Sequence, residues 1–418
     1  MAVCAAIASN NLPTPKSSIL HAVIKRTLVA EQRQFFEIDH YDFHTVSYSA
    51  ATQNPYVWKA NLLGGGRISR LINRLQNLRS LGEYLDEKKE NEGWEFGEGY
   101  IIRHDGTKSE NELEALGYRK APWITGKTSI ITKSFKENGT ITTYNELERF
   151  FYRASEENKN IFSPPHLLIK ENLGQEQIPM LFSDEYLCFK DKIIGIHSPN
   201  DAESLKKIYT VLSANGKTNR FFTITTSGQA GITMSSSVLL KKDIFNLPYP
   251  EDDTDLELSN SEKIVRDDVL NYFIKSGQSS KLSPLNEVVS DTDLEEFGTV
   301  FCNTLNPIYQ KGDNQWFTAK YAEVGGMIIS KFYFGKYSPL FHYEKDTWDN
   351  DAIEKLERMI YDKKRRHVRM NRVLKAYLHE DGYDVLVLIK PNKLRYWLKS
   401  VALRDADETF SDLKRAGF

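Results

Sequence analysis

The sequence predicts an α+β, multidomain protein, with a β-rich middle domain between a helical N-terminal segment and a small C-terminal α+β module. Three observations lead to that class. Apolar patterns of helical period are interspersed with short β-type runs, and neither kind fills the chain. Charged or proline-rich tracts near residues 90 and 250 divide it into segments. A chain of 418 residues, 40% of them hydrophobic, can supply two or three cores. The expected segments are 1–90, 91–258 and 259–418.

In the first segment, SSILHAVIKRTLVAEQRQFF (17–36) predicts a helix, opened by Ser17 or Ser18 after two prolines. EIDHYDFHTVSY (37–48) alternates aromatic and polar residues, which predicts a strand or extended loop. Ile68, Leu71, Ile72, Leu75 and Leu78 recur at helical spacing over 67–80, with Arg67, Arg70 and Arg74 on another face. The charged tract 86–99 reads as an exposed turn or linker.

The middle segment holds the strand-like runs TSIITKSF, HLLIKENL, CFKDKIIGIH, RFFTITTS and GITMSSSVLL. Helices are expected at 144–154 and 202–214, and KKDIFNLPYPEDD marks a boundary. The last segment predicts helices from SEKIVRDDVLNYFIKSG and DLEEFGTVFCNTL, then a hairpin about Gly325-Gly326. A long helix at 349–378 and strands at 383–390 and 394–403 complete it.

Composition excludes several function classes. With 55 basic and 57 acidic residues the net charge is -2, so any nucleic-acid surface must be a local patch. Cys4, Cys188 and Cys302 are far apart and form no C-x-x-C pair, which argues against a disulfide framework or zinc ribbon. No run of 18 apolar residues occurs, and the N-terminus has no basic n-region. A soluble, cytoplasmic protein without membrane partners is expected.

Several motifs suggest chemistry. Asn54-Pro55-Tyr56 is one proline short of the Asn-Pro-Pro-Tyr/Phe tetrapeptide that holds a flipped base for amino-methylation. Gly64-Gly65-Gly66 precedes a helix, but no strand with a ribose-binding acid follows at the required distance, so a structural turn is expected. TGKTS (125–129) lacks the first glycine of a phosphate loop, position 121 being Ala. Glu37, Asp39, His40, Asp42 and His44 offer metal ligands, or simply a polar strand. His379, Glu380, Asp381 and Asp384 before Lys390 lack the acid a nuclease would place at 388, and capping or turn roles fit them better. Lys363, Lys364, Arg365 and Arg366 form the densest basic run, suited either to phosphates or to a solvated helix face. Over 212–250, Lys217, Asn219, Arg220, Gln229, Lys241 and Lys242 suit base-edge and phosphate contacts, or an ordinary polar surface.

Ile194-Gly195-Ile196, then LKKIYTVLSANG, then Asp243-Ile244-Phe245-Asn246-Leu247-Pro248-Tyr249-Pro250 resemble the target-recognition domain of adenine-specific restriction-modification DNA methyltransferases. In that family the methylase and specificity regions share one chain. FFEIDHYDFHTV, NPYVWKANLLGGG and GWEFGEGY resemble the stretch joining the two regions. The resemblance covers about residues 10–255, while 259–418 match no known module. The family's catalytic tetrapeptide and cofactor loop are not found in this sequence. The resemblance therefore implies a DNA-reading component of a restriction-modification or phage-defence system, with no cofactor of its own. S-adenosylmethionine would sit only on a partner methyltransferase subunit. The implied partners are double-stranded DNA and a methyltransferase or nuclease subunit docked through residues 1–90. Two other readings stay open: a nuclease or other enzymatic effector in the C-terminal module, and a scaffold that binds only protein.

Overall fold

The computed structural model describes residues 12–24, 38–102, 108–230, 238–250, 252–273, 283–337 and 372–418, with short stretches between 344 and 370. The chain forms two compact units: Arg70–Ser259, and Met1–Ser69 together with Asn260–Phe418. The boundary expected near residue 90 thus falls after Ser69, and the first segment shares a unit with the last. The architecture is mixed α+β, with several small sheets.

The N-terminal part opens with β1 (Ser18–Ala22), paired antiparallel to β2 (Phe43–Ser47). The helix expected over 17–36 is corrected at its start, since a short apolar run fits either period; residues 25–37 lie outside the described ones. Three helices follow: α1 (Tyr48–Gln53), α2 (Val57–Leu62) and α3 (Arg67–Gln76). Ser47 caps α1 by accepting from the Ala50 amide at 3.2 Å. The apolar face read for α3 is buried at Ile68, Leu71, Ile72 and Leu75.

The unit Arg70–Ser259 takes most of α3 and continues with α4 (Leu81–Glu92) and β3 (Glu95–Glu98), where a linker was expected. A reciprocal cap between Ser80 and Glu83 starts this helix, and Gly93, at φ 69°, ends it. Then come β4 (Ile101–Ile102), α5 (Glu110–Ala115), β5 (Arg119–Lys120), β6 (Thr128–Ile130), β7 (Thr143–Asn145) and β8 (Phe150–Tyr152). The helix expected over 144–154 is in fact β7 and β8, because β8 supplies the central strand between β4 and β5. The principal sheet takes β9 (His166–Lys170), β10 (Met180–Ser183) and β11 (Ile193–His197) in the order β10-β9-β11-β3, all antiparallel. Phe135, Phe151, Phe162, Phe189 and Tyr100 fill the core on one side of it.

Helices α6 (Ala202–Ala214), α7 (Gly216–Thr226) and α8 (Lys241–Phe245) complete this unit. Helix α6 has the bounds expected from its period. RFFTITTS, expected as a strand, lies mostly in α7. Its threonines bond back along the helix, Thr223 Oγ1 to the Asn219 carbonyl and Thr225 Oγ1 to the Phe221 carbonyl. Burial of Phe221, Phe222 and Ile224 then overrides the β-branched propensity. Most of GITMSSSVLL lies outside the described residues.

The C-terminal part holds α9 (Asn260–Asp268), α10 (Asp291–Tyr309) and the expected hairpin of β12 (Asn314–Val324) and β13 (Met327–Lys336) about Gly325-Gly326. Short strands β14 (Glu344–Lys345), β15 (Tyr361–Asp362) and β16 (Arg369–Met370) precede β17 (Leu374–Glu380) and β18 (Tyr383–Pro391). Of the expected 349–378 helix, the described Glu354 and Arg358 are helical, whereas 361–362, 369–370 and 374–378 are strand. The run 394–403, expected as a strand, is a 3-10 turn followed by α11 (Lys399–Ala416). The sheet runs β14-β12-β13-β18-β17. One face packs Phe332, Leu386 and Leu388 against Phe297, Phe301 and Trp397. The other gathers Phe317, Ile329, Tyr333, Val385 and Val387.

Candidate nucleic-acid interface

The path from β11 to the end of α8 carries the recognition-like motif. Gly195 of β11 has no room for a side chain: a Cβ there would stand 2.4 Å from the Phe189 ring. Asp201 caps α6 by accepting from the Ser204 amide at 2.9 Å. Asn215 and Asn219 join α6 to α7, their amides donating to the Val211 and Leu212 carbonyls. At the far end of α7, Ser227 Oγ donates to Asp243 at 3.0 Å, and Asp243 also takes the Leu240 amide. The closing Leu247-Pro248-Tyr249 is a clasp on the start of α4, with Leu81 N bonded to Leu247 O and Tyr249 N to Arg79 O.

The sequence-nominated residues fall into two groups along this path. Lys217 is exposed in the first turn of α7. Asn219 is buried and committed to the Leu212 carbonyl, so it faces no solvent. Arg220 is half-buried; burial lowers its pKa, opposed by the carboxylates of Glu176 and Glu137. Glu137 is itself held by the amides of Gln175, Glu176 and Gln177. The second group lies about 15 Å along the helix from Lys217, at 1.5 Å per residue. There Gln229 and Lys242 are exposed on either side of the Ser227–Asp243 bond, and the Gln229 amide donates to Ser227 Oγ. Lys241 beside them lies over the Phe245 ring at 5.0 Å. Lys363, Lys364, Arg365 and Arg366 lie outside the described residues.

Two features of this unit had no sequence signal. Lys190, Lys127 and Lys120 stand over Tyr144, Tyr186 and Phe150 at 5.3, 5.8 and 5.4 Å, pairings made by residues distant in sequence. Glu171, at the end of β9, is buried beside Glu98, with Lys192 Nζ 3.9 Å away. Burial and the Glu98 charge push its carboxyl up to about 7. Its neighbours Arg153 and Lys192 hold φ of 60° and 74°, a conformation unusual without glycine. Glu171 also anchors the chain beside α8, its carbonyl accepting from Leu239 N at 3.2 Å.

The other motifs meet in the unit formed by Met1–Ser69 and Asn260–Phe418. A cleft of about 190 Å³ there is lined by residues including Asp39, His44, Gly65, Arg67, Arg395 and Arg404. Gly64, Gly65 and Gly66 all have positive φ, at 131°, 69° and 50°, and a Cβ on Gly65 would meet His44 Nδ1 at 2.7 Å. The glycines make a tight turn against His44. Asn54 Oδ1 accepts from the Tyr56 amide at 3.0 Å, an Asx turn.

Charges in and beside this cleft answer one another. Asp39 accepts from Arg372 at 3.0 and 3.1 Å, from Arg395 at 3.0 Å and from the Tyr396 hydroxyl at 2.6 Å. Arg67 holds Asp407 with two bonds, at 3.0 and 2.8 Å. Burial raises the Glu408 carboxyl, but His40 and Arg404 outweigh it and bring it to about 2. Among the described residues, no group of three His, Cys, Asp or Glu could hold a metal. Lys390 is fully buried, paired with Asp405 and bonded to the Tyr396 carbonyl, and burial pushes its ammonium pKa down. His379 and Asp384 pair at the exposed mouth of the β17–β18 hairpin, whose turn contains Asp381 and Gly382 at positive φ. TGKTS runs from a turn into β6, with the Gly126 amide on the Glu146 carbonyl, and not into a helix.

Comparison of the chain with protein-family models, with curated proteins and with solved structures found no match. No described helix is long and apolar enough to cross a membrane.

Proposed function

We propose that this chain is the sequence-specific DNA-recognition component of a restriction-modification or phage-defence adenine methyltransferase system. The reader is the unit Arg70–Ser259, and a partner subunit supplies S-adenosylmethionine and the methylating motif. The observation that carries the reading is the α7–α8 junction. There the Ser227–Asp243 bond ties the end of α7 to α8, while Gln229 and Lys242 are exposed. Gln229 follows Ser227 by two residues and Lys242 directly precedes Asp243, so an amide that can bond a base edge and an ammonium that can meet a phosphate both flank this bond in sequence. The recognition-like motif falls within this one unit, from Gly195 to the Leu247–Tyr249 clasp, and that supports the same reading. Lys390 offers little to a nuclease, because it is sealed against Asp405.

The test is DNA affinity measured across salt concentration with duplexes of mixed sequence. The chain should bind with a negative log–log slope, and Lys242→Ala should weaken binding on every sequence and reduce the slope by about 1. Gln229→Ala should instead reduce the preference among sequences. Absence of binding at low salt would remove the proposal and leave a protein-only scaffold.

A further inference from the structure

Two lysines of the unit Arg70–Ser259 converge on one aromatic ring. Lys89 of α4 and Lys241 of α8 hold their ammonium groups 5.8 and 6.0 Å from the centre of the Phe96 ring on β3. Lys241 also lies 5.0 Å from the Phe245 ring, which meets Phe96 edge to face at 5.4 Å. Helices α4 and α8 are packed closely at this point. A Cβ on Gly82 would stand 3.1 Å from the Phe245 carbonyl oxygen, and Leu81 N bonds to Leu247 O. The carboxylates of α4 are committed elsewhere: Glu87 to Arg79, Glu92 to Lys88, and Glu83 to the Ser80 cap. Among the described residues, Lys89, Lys241 and Lys242 have no carboxylate partner. The rings offset part of the repulsion between these ammoniums, but no counter-charge answers them.

We infer that Lys89 and Lys241 grip the phosphate backbone of duplex DNA, alongside Lys242. This rests on the DNA-recognition reading and adds to it helix α4, whose Lys89 lies in the charged tract that the sequence presents as a linker. Sharing one ring centre keeps the two ammoniums within about 12 Å of each other, a span in which one DNA strand presents about three phosphates at about 3.4 Å of axis each. Each ammonium is a compact point charge that releases condensed counterions when it meets a phosphate. The rings select the kind of partner. Phe96 and Phe245 are half-buried, engaged with each other and already carry ammonium groups. They offer no open face on which unpaired bases could stack, and they cannot enter a lipid surface. Duplex phosphates need neither. Such contacts position the protein without reading sequence, which leaves base readout to Gln229.

Fluorescence anisotropy of labelled duplexes titrated with the full chain, at salt concentrations between about 50 and 200 mM, tests this. Lys89→Ala should lower the magnitude of the log–log slope by about 0.9 and weaken binding several-fold, equally on every sequence. Adding Lys241→Ala should lower the slope by about as much again. Lys89→Arg keeps the charge and should retain the parent slope. The Lys89 side chain is exposed, so circular dichroism of Lys89→Ala should match the parent. A parent chain that binds duplex while Lys89→Ala keeps its slope and affinity would overturn the Lys89–Lys241 grip and leave the DNA-recognition reading standing. A loss that Lys89→Arg shares would do the same, since charge would not be its cause. Binding to phosphatidylserine vesicles that Lys89→Ala abolishes, with duplex binding intact, would point to a membrane instead. A parent chain that binds no duplex at low salt would remove both the grip and the reading.

Discussion

Gly195 shows what a motif position means at the scale of one residue. In the sequence it is the centre of Ile194-Gly195-Ile196, and no principle of strand formation calls for a glycine there. In the fold it lets the Phe189 ring and the Ile161 carbonyl close over β11, with would-be Cβ distances of 2.4 and 3.0 Å. Both neighbours belong to a packed core and cannot swing aside. Gly195→Ala should therefore destabilise the unit by about 1–3 kcal/mol, the usual cost of overpacking. Faster amide exchange across β9 and β11 would report it, and unchanged exchange would contradict the argument. The same close approach was invisible in the sequence, because the ring that needs the space is six residues away and reaches it through a turn.

At the scale of an element, strand β9 carries two oppositely perturbed groups at its ends. His166 is fully buried, its Nδ1 within 3.0 Å of the Ile161 carbonyl, and burial lowers its pKa to about 4. Between about 4 and 6.5 the unfolded chain binds the extra proton, so stability is lost as pH falls through that window. Glu171 behaves conversely. Its folded pKa of about 7 exceeds the usual 4.5, so the folded state holds the extra proton and stability is lost as pH rises from 4.5 through 7. Exchange protection of β9 amides should thus fall towards acid through His166 and towards neutral pH through Glu171. Glu171→Gln should flatten the upper limb alone; an upper limb that persists in that variant would refute the assignment. Elements were legible where caps and period agreed, as in α6. Ser80 with Glu83 is an equally clear start signal, lying just ahead of the tract 86–99 whose charge reads as a linker. Helix α7 could not be read because buried neighbours decide it against local propensity, and strand β8 because its aromatic residues sit in a run of helical period.

At the scale of the molecule, the N-terminal segment is structurally part of the C-terminal module. Asp39 accepts from Arg372, Arg395 and Tyr396, Tyr41 donates to Asp405 at 2.6 Å, and Arg67 holds Asp407. None of these pairs could be read in advance, since each joins residues more than 330 positions apart and only the fold fixes which charges meet. Within the metal-ligand-like run 37–44, Asp39 belongs to this joint, its carboxylate accepting from Arg372 and Arg395. Asp39 is the residue on which the joint depends most. It is 6% accessible, and the side chain of Arg395 beside it is only 10% exposed. Asp39→Ala would leave a buried guanidinium and a buried phenol without their acceptor. Removing one partner of such a pair costs about 3–5 kcal/mol. Amide exchange in β18 should accelerate accordingly, and Arg395→Met combined with Asp39→Ala should restore part of the loss, because the second change removes the stranded charge. If the double variant were no better than Asp39→Ala alone, the loss would lie in packing around Asp39 and not in its charge.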